Sequence, residues 1–377
     1  MAKTWNELYL NLALESKRRK EFIASSFELT ARCNLQCKMC YVRYAANDKQ
    51  AKAKELTTEQ WVRLAEEARD AGLLFLTLTG GEVLLREDFK ELYEKLMNLG
   101  LIIKIFTNGT LITPEFVNWL SRIPPKLVSI TLYGASRDTY KKVTGFADGY
   151  DRATRAVDLL MDKGIPTEIK TTVTQYNRAD FDEIHNFALK RKCVLGVVNY
   201  IAPVREGCNT ASCECRLSPE ELLNFEIHMT ERGKIGFDNE IIGETEKTVN
   251  PNDDAVAEAM REILASKAQT DENFAFQCMS GSCTGWVNWD GSMAPCGIMG
   301  EPKVYPLISG FQNAWVELKQ KCAQIPVCKA CKECEYQVLC EHCPGRLYQE
   351  TGSYDKPAPY LCELAKRRTD YNNQKNN

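Results

Sequence analysis

The sequence predicts an α/β protein: a partial (β/α)6 barrel of the TIM type followed by a small cysteine-rich domain. Three observations lead there. Between residues 24 and about 202, short apolar runs alternate with amphipathic segments, the pattern of parallel βαβ units. Polar or glycine-rich signals stand at the ends of four of those runs, where such folds carry function. Beyond about 275, regular periodicity gives way to cysteine, glycine and proline.

Residues 1–23 read as an N-terminal helical segment. The strand-like runs follow: ASSFELT (24–30), LLFLTLT (73–79), LIIKIFT (101–107), LVSITLY (127–133), TEIKTTV (167–173) and VLGVVNYI (194–201). Helix signals lie between them. Thr57 and Gln60 form a capping box before WVRLAEEARDAG, and Gly72 is placed to end that helix. Thr113 precedes Pro114 at a first helical position, and Gly164 ends DRATRAVDLLMDKG. Six strands fall two short of a closed eightfold barrel, so the alternation alone also fits a doubly wound open sheet. Residues 24–215 form this unit, and 216–274 read as a helical bridge with a linker near 236–256. Residues 275–365 are poor in core material and would need metal to fold, while 366–377 read as a disordered tail.

Composition bounds the function. The 377 residues carry a net charge of -3, with no clustered basic excess to suggest nucleic acid and no apolar run long enough to span a bilayer. The N-terminus lacks a signal-peptide core, so the expectation is a cytoplasmic protein. Cysteine is the outlier at 17. In a reducing compartment such thiols point to metal or catalysis rather than disulfides.

Cys33, Cys37 and Cys40 lie on the loop leaving the first strand. Three thiolates can reach three corners of a cubane iron–sulfur cluster, and the fourth iron is left open for a substrate. The spacing Cys33-x3-Cys37-x2-Cys40, with hydrophobic Met39 before the last cysteine, resembles the signature of radical S-adenosylmethionine (SAM) enzymes. The resemblance implies that the open iron chelates SAM, and that one electron releases methionine and a 5′-deoxyadenosyl radical. Gly80, Gly81 and Glu82 resemble the family's GGE motif, which receives the SAM amino group. Asn108 in the TNG at the end of strand three, and Ser129 and Thr131 on strand four, lie where relatives contact the cofactor's ribose and carboxylate.

The C-terminal series is Cys278-x4-Cys283-x7-Gly291-x4-Cys296, then Cys328-x2-Cys331-x2-Cys334-x5-Cys340-x2-Cys343, then Cys362. It resembles the SPASM extension of radical SAM proteins, with one residue fewer before Cys343 and an additional cysteine, Cys328. The resemblance implies two auxiliary [4Fe–4S] clusters. Cys278, Cys283, Cys296 and Cys343 would hold the first, and Cys331, Cys334, Cys340 and Cys362 the second. Zinc ribbons are the alternative, since thiolates bind both metals.

Other residues carry weaker signals. Cys193 and Cys322 read as small buried hydrophobes. Cys208, Cys213 and Cys215 follow strand six and could donate hydrogen, bind substrate or add a ligand. Arg205 could clamp an acidic group. His185, His228 and His342 have no ligand spacing, Trp286 and Trp289 read as core, and Lys17 to Lys20 as a solvated helix face.

The resemblance implies a radical SAM/SPASM maturase of a ribosomally made peptide, closing a thioether or carbon crosslink. Its expected partners are a precursor peptide, which a separate recognition protein could deliver, and an external electron donor such as flavodoxin or ferredoxin. An anaerobic sulfatase-maturating enzyme is an alternative, although Gly297 stands where such relatives carry an aspartate after Cys296. A peptide epimerase is another. A zinc-stabilised binding module without catalysis is the alternative of a different class.

Overall fold

The structure is a computed structural model that describes residues 5–42, 44–203, 212–232, 240–241 and 274–376. The linker expected near 236–256 lies outside the described residues, apart from 240–241.

The six anticipated strands are present: β1 (Ala24–Glu28), β2 (Phe75–Thr79), β3 (Ile102–Thr107), β4 (Leu127–Thr131), β5 (Thr167–Thr172) and β6 (Leu195–Val198). They lie side by side in sequence order, each parallel to the next. A doubly wound sheet would reverse that order at a switch point. Here it never reverses, so the sheet winds in one direction as a partial barrel does.

Each strand turns one row of residues to the helices and the other inward. Phe27, Leu76, Leu78, Ile103, Ile105, Val128, Ile130, Ile169 and Leu195 are buried on the helix side in one continuous core. The helix Thr58–Asp70 has the anticipated Thr57–Gln60 capping box and buries Trp61, Leu64, Ala65 and Ala68. Its Trp61 ring lies 5.0 Å from that of Phe27. Thr113 caps the helix Pro114–Leu120 with proline in its first turn.

Three further strands extend the sheet: β7 (Glu240–Ile241), β8 (Thr284–Val287) and β9 (Met293–Ala294). Strand β8 runs parallel to β1, with Ala24 opposite Thr284 and Phe27 opposite Val287, and β9 returns antiparallel. The segment 275–365, expected as a cysteine-rich domain, is thus joined to the barrel at its start. The start of that segment is an edge hairpin of the barrel sheet, and the helix Phe311–Ala323 covers it. Phe22 packs against Phe311 and Trp315 at 5.0 and 4.7 Å. Such a segment needs little apolar material of its own because it shares the barrel's.

The tail also departs from expectation. Residues 366–376 continue a helix that begins at Pro359. Leu361, Leu364 and Ala365 are buried, and Arg368 donates to Glu226 on the helix Pro219–Arg232 and to the Leu339 carbonyl. Tyr360 donates to the Leu217 carbonyl at 2.7 Å. Among the described residues no helix is long and apolar enough to cross a membrane.

Candidate active site

The cysteine loop is pressed onto the end of β2. The Gly81 amide donates to the Thr30 carbonyl at 2.7 Å, and the Glu82 amide to the Arg32 carbonyl at 2.8 Å. Both glycines are required by closeness. A Cβ on Gly80 would stand 2.4 Å from the Thr30 oxygen, and one on Gly81 2.3 Å from the Arg32 oxygen. The loop's entry is fixed by Arg32, whose guanidinium donates twice to Glu55, at 2.7 and 3.0 Å. Its far side is tied to the helix Arg137–Thr144, where the Gln36 and Lys38 amides donate to the Thr144 and Val143 carbonyls. Leu35, Cys37 and Met39 are buried there with Val143, Ile201 and Cys215, and Cys33, Cys40 and Tyr133 pack against them.

Glu82 has an internal role. It is fully buried and accepts from the Thr107 hydroxyl (2.7 Å), the Asn108 amide (2.7 Å) and the Leu84 amide (3.0 Å). Burial pushes its carboxyl up, and those donors pull against the shift. The Asn108 amide group reaches the cysteine loop directly, donating to Asn34 at 2.9 Å and lying 3.7 Å from the Cys33 sulfur. Burial, with Glu82 nearby, pushes the Cys33 thiol up to about 12. Tyr133 is a close neighbour of all three cysteines. Ser129 donates to Glu168 across the interior, and Thr131 lies on the same inward row of β4, half-buried.

The C-terminal cysteines sort into two neighbourhoods. Cys296 lies close to Cys343 and Cys278, and Cys283 close to Cys278. Burial pushes the Cys296 thiol up to about 12 and that of Cys283 to about 11. Cys331 hydrogen-bonds Cys328 and lies near Cys340 and Cys362, while Cys334 neighbours Cys340 and Cys362. Each neighbourhood has one thiol beyond four: Cys322, buried beside Cys296 and Cys278, and Cys328. Among the described residues no three His, Cys, Asp or Glu side chains converge as ligands of a single ion would.

Apart from Ser129 and Thr131, the inward face of the sheet is the part that sequence reasoning missed. Glu28 is buried and accepts from the Trp286 indole at 3.2 Å, so Trp286 stands in the barrel interior rather than in the helix-side core. Lys170 pairs with Glu168 at 3.2 Å and covers the Phe106 ring at 3.9 Å. Lys104 is on the same inward row of β3 as Phe106. A signal was available. Parallel strands covered on both faces read as continuous apolar runs, yet Ser26, Glu28, Thr77, Lys104, Ser129, Glu168 and Lys170 recur at period two.

Residues 27–188 match the family model of the Radical SAM superfamily. This part of the chain is a radical SAM domain. The AdoMet-dependent heme synthase of Methanosarcina barkeri is 28% identical over 354 residues, 89% of this chain and 95% of that protein. The PqqA peptide cyclase of Rhizobium meliloti is 32% identical over 165 residues, 44% of this chain and 43% of that protein. Among solved structures, Streptococcus suis SuiB bound to S-adenosylmethionine shares the fold, with a TM-score of 0.67 at 18% identity. That match covers 92% of this chain and 78% of SuiB.

The remaining sequence candidates lie around the radical SAM domain. Cys215 is buried against its cysteine loop. Cys208, Arg205 and the Cys213 side chain lie outside the described residues. Cys193 is buried beside Met161, and Trp289 packs on Tyr44. His228 faces Asp182 at 2.8 Å, and His185 stacks on Phe181. His342 is partly enclosed, with a buried Nδ1 lacking a hydrogen bond. Lys17 is not simply solvated, since its ammonium donates to the Gln277 carbonyl at 2.8 Å.

Proposed function

We propose that this protein is a radical SAM oxidoreductase with three four-iron clusters, and that its substrate is a ribosomally synthesised peptide. The observation that carries the three-cluster reading is the sorting of the C-terminal thiols into two neighbourhoods, matching the division by position in the chain. Cys33, Cys37 and Cys40 would hold the SAM-binding cluster. Cys278, Cys283, Cys296 and Cys343 would hold the first auxiliary cluster, and Cys331, Cys334, Cys340 and Cys362 the second. The donor set fits. Buried thiols crowd one another with raised proton affinity, so the thiolates need a cationic group to be stable. Met39, Gly80, Gly81, Glu82, Asn108, Ser129 and Thr131 would form the SAM site.

When bound, the first cluster and SAM together supply a carbon-centred radical that abstracts a substrate hydrogen atom. The chain's own contribution is positional. Gly80 and Gly81 let the cysteine loop lie flat on the end of β2, and Asn108 fixes that loop to β3 through Asn34. The packed residues Leu35, Met39, Val143 and Ile201 exclude water from one side of the loop. The polar inward face of the sheet is the surface left for substrate.

A peptide substrate is supported by the likeness to PqqA peptide cyclase and by the SPASM-like order of cysteines. A second reading has its own support. The likeness to AdoMet-dependent heme synthase runs through nearly the whole of that protein, which favours an iron porphyrin. The sulfatase-maturating alternative loses ground, because a side chain at Gly297 would press on the Trp286 ring at 3.0 Å. The test is anaerobic purification followed by turnover. About twelve irons with matching sulfide are expected, four per cubane; colourless, zinc-loaded protein would make this a binding module. With SAM and dithionite, a precursor peptide encoded beside the gene should become lighter by a pair of hydrogen atoms. Conversion of iron coproporphyrin instead would end the peptide reading and support the second.

A further inference from the structure

Closed eightfold barrels fill their interior with layers of branched apolar side chains. The inward face here mixes the apolar Phe75, Ile102 and Phe106 with polar, half-buried residues: Ser26, Thr77, Lys104, Thr131 and Lys170. Between the first residues of β1, β2 and β3 and the β8–β9 hairpin lies a cavity of about 310 Å³. Ser26, Thr77, Lys104, Lys126, Trp286 and Cys296 are on its wall.

Among the described residues, the charges on the inward face are matched with one exception. Glu28 accepts from Trp286, and Glu168 takes Ser129 and Lys170. Lys104 has no hydrogen-bond or ion-pair partner among the described residues. A half-buried ammonium loses part of its hydration, and only an anion or several acceptors restore it. Along β3, Lys104 is about 10 Å below Thr107, at some 3.3 Å per residue, and Thr107 bonds Glu82 beneath the cysteine loop. The unmatched cation therefore sits deeper in the barrel than the loop, on a wall shared with Cys296.

We infer that Lys104 binds a carboxylate of the substrate, anchoring an anionic group in the lower barrel beside Cys296. This rests on the radical SAM reading and narrows its substrate to acids. A glutamate or aspartate side chain of a peptide and a propionate of a porphyrin offer the same chemistry.

The experiment is anaerobic calorimetric binding to the iron-loaded protein with two matched pairs of probes. One pair is iron coproporphyrin III and its tetramethyl ester. The other is a peptide of alternating glutamate and glycine and its glutamine counterpart. At least one acid should bind wild type about tenfold or more tighter than its neutral partner. Added salt should shrink that difference. Lys104→Gln should abolish it at unchanged iron content, and Lys104→Arg should keep it. The inference is overturned if neutral and acidic forms bind wild type alike, if neither acid binds, or if Lys104→Gln discriminates as wild type does. The wild-type comparison needs no variant to fold. Protein without iron would overturn the function proposed above, whereas iron-loaded protein indifferent to carboxylates overturns this inference alone.

Discussion

Gly81→Ala is expected to remove the cysteine loop from its seat and to cost about 3–5 kcal/mol of stability. The new Cβ would stand 2.3 Å from the Arg32 oxygen, 2.6 Å from the Arg32 carbon and 2.7 Å from the Ala31 oxygen. All three are backbone atoms, so no side chain can swing away. Relief requires the loop to lift, which strains the Gly81–Thr30 and Glu82–Arg32 hydrogen bonds. Overpacking costs about 1–3 kcal/mol and each lost hydrogen bond about 1 more. Against a typical total of about 5–15 kcal/mol that is a large fraction. Cys33 follows Arg32 directly, so iron content should fall from about twelve to about eight with the auxiliary sites intact. Gly164→Ala is the control: its φ is +67°, but an added Cβ meets nothing within 4 Å. It should cost about 1–2 kcal/mol of backbone strain and leave the iron untouched. Urea unfolding and iron analysis on the two variants check both halves.

Glu82→Ala should be comparably damaging for a different reason. The carboxylate is the shared acceptor for the Thr107 hydroxyl and the Asn108 and Leu84 amides. Truncation leaves two buried donors and one partly buried donor without a partner, each buried one worth about 1–3 kcal/mol. The expected loss is about 3 kcal/mol or more, in a denaturant midpoint shift at unchanged slope. Glu82→Gln keeps the shape but turns one acceptor into a donor facing donors, so it should fall between wild type and alanine. A Glu82→Ala protein as stable as wild type would show that water replaces the carboxylate at little cost. The strut between β2 and β3 would then be dispensable.

Much of this architecture was legible because its signals are local. The six strands were found within a few residues because each buries an apolar row against helices. Thr57–Gln60 and Thr113–Pro114 announced helix starts that the structure contains. Cys33, Cys37 and Cys40 stood out by spacing, and the structure gathers them with the GGE and TNG segments. What stayed illegible depends on distant partners. Strands of four and two residues at Thr284–Val287 and Met293–Ala294 carry almost no periodicity; only pairing with Ala24–Phe27 makes the first a strand, and only pairing with Trp286–Val287 makes the second one. The polar TDYNNQKNN segment has no stripe of its own, yet it extends a helix anchored by Arg368 on Glu226, 142 residues away. The internal bonds of Glu82 are illegible in the sequence because two of its three donors come from the end of β3, 25 and 26 residues further on. Trp286 was read as core because nothing local says which face of an edge strand it takes.

The most direct test is SAM cleavage by anaerobically reconstituted protein with dithionite, with 5′-deoxyadenosine measured by chromatography. Wild type should form 5′-deoxyadenosine, and Cys33→Ala, Cys37→Ala and Cys40→Ala should each form none above background. Failure of the iron-loaded wild type to form it, or undiminished formation by any of those three variants, would contradict the assignment of this loop as the site of radical generation.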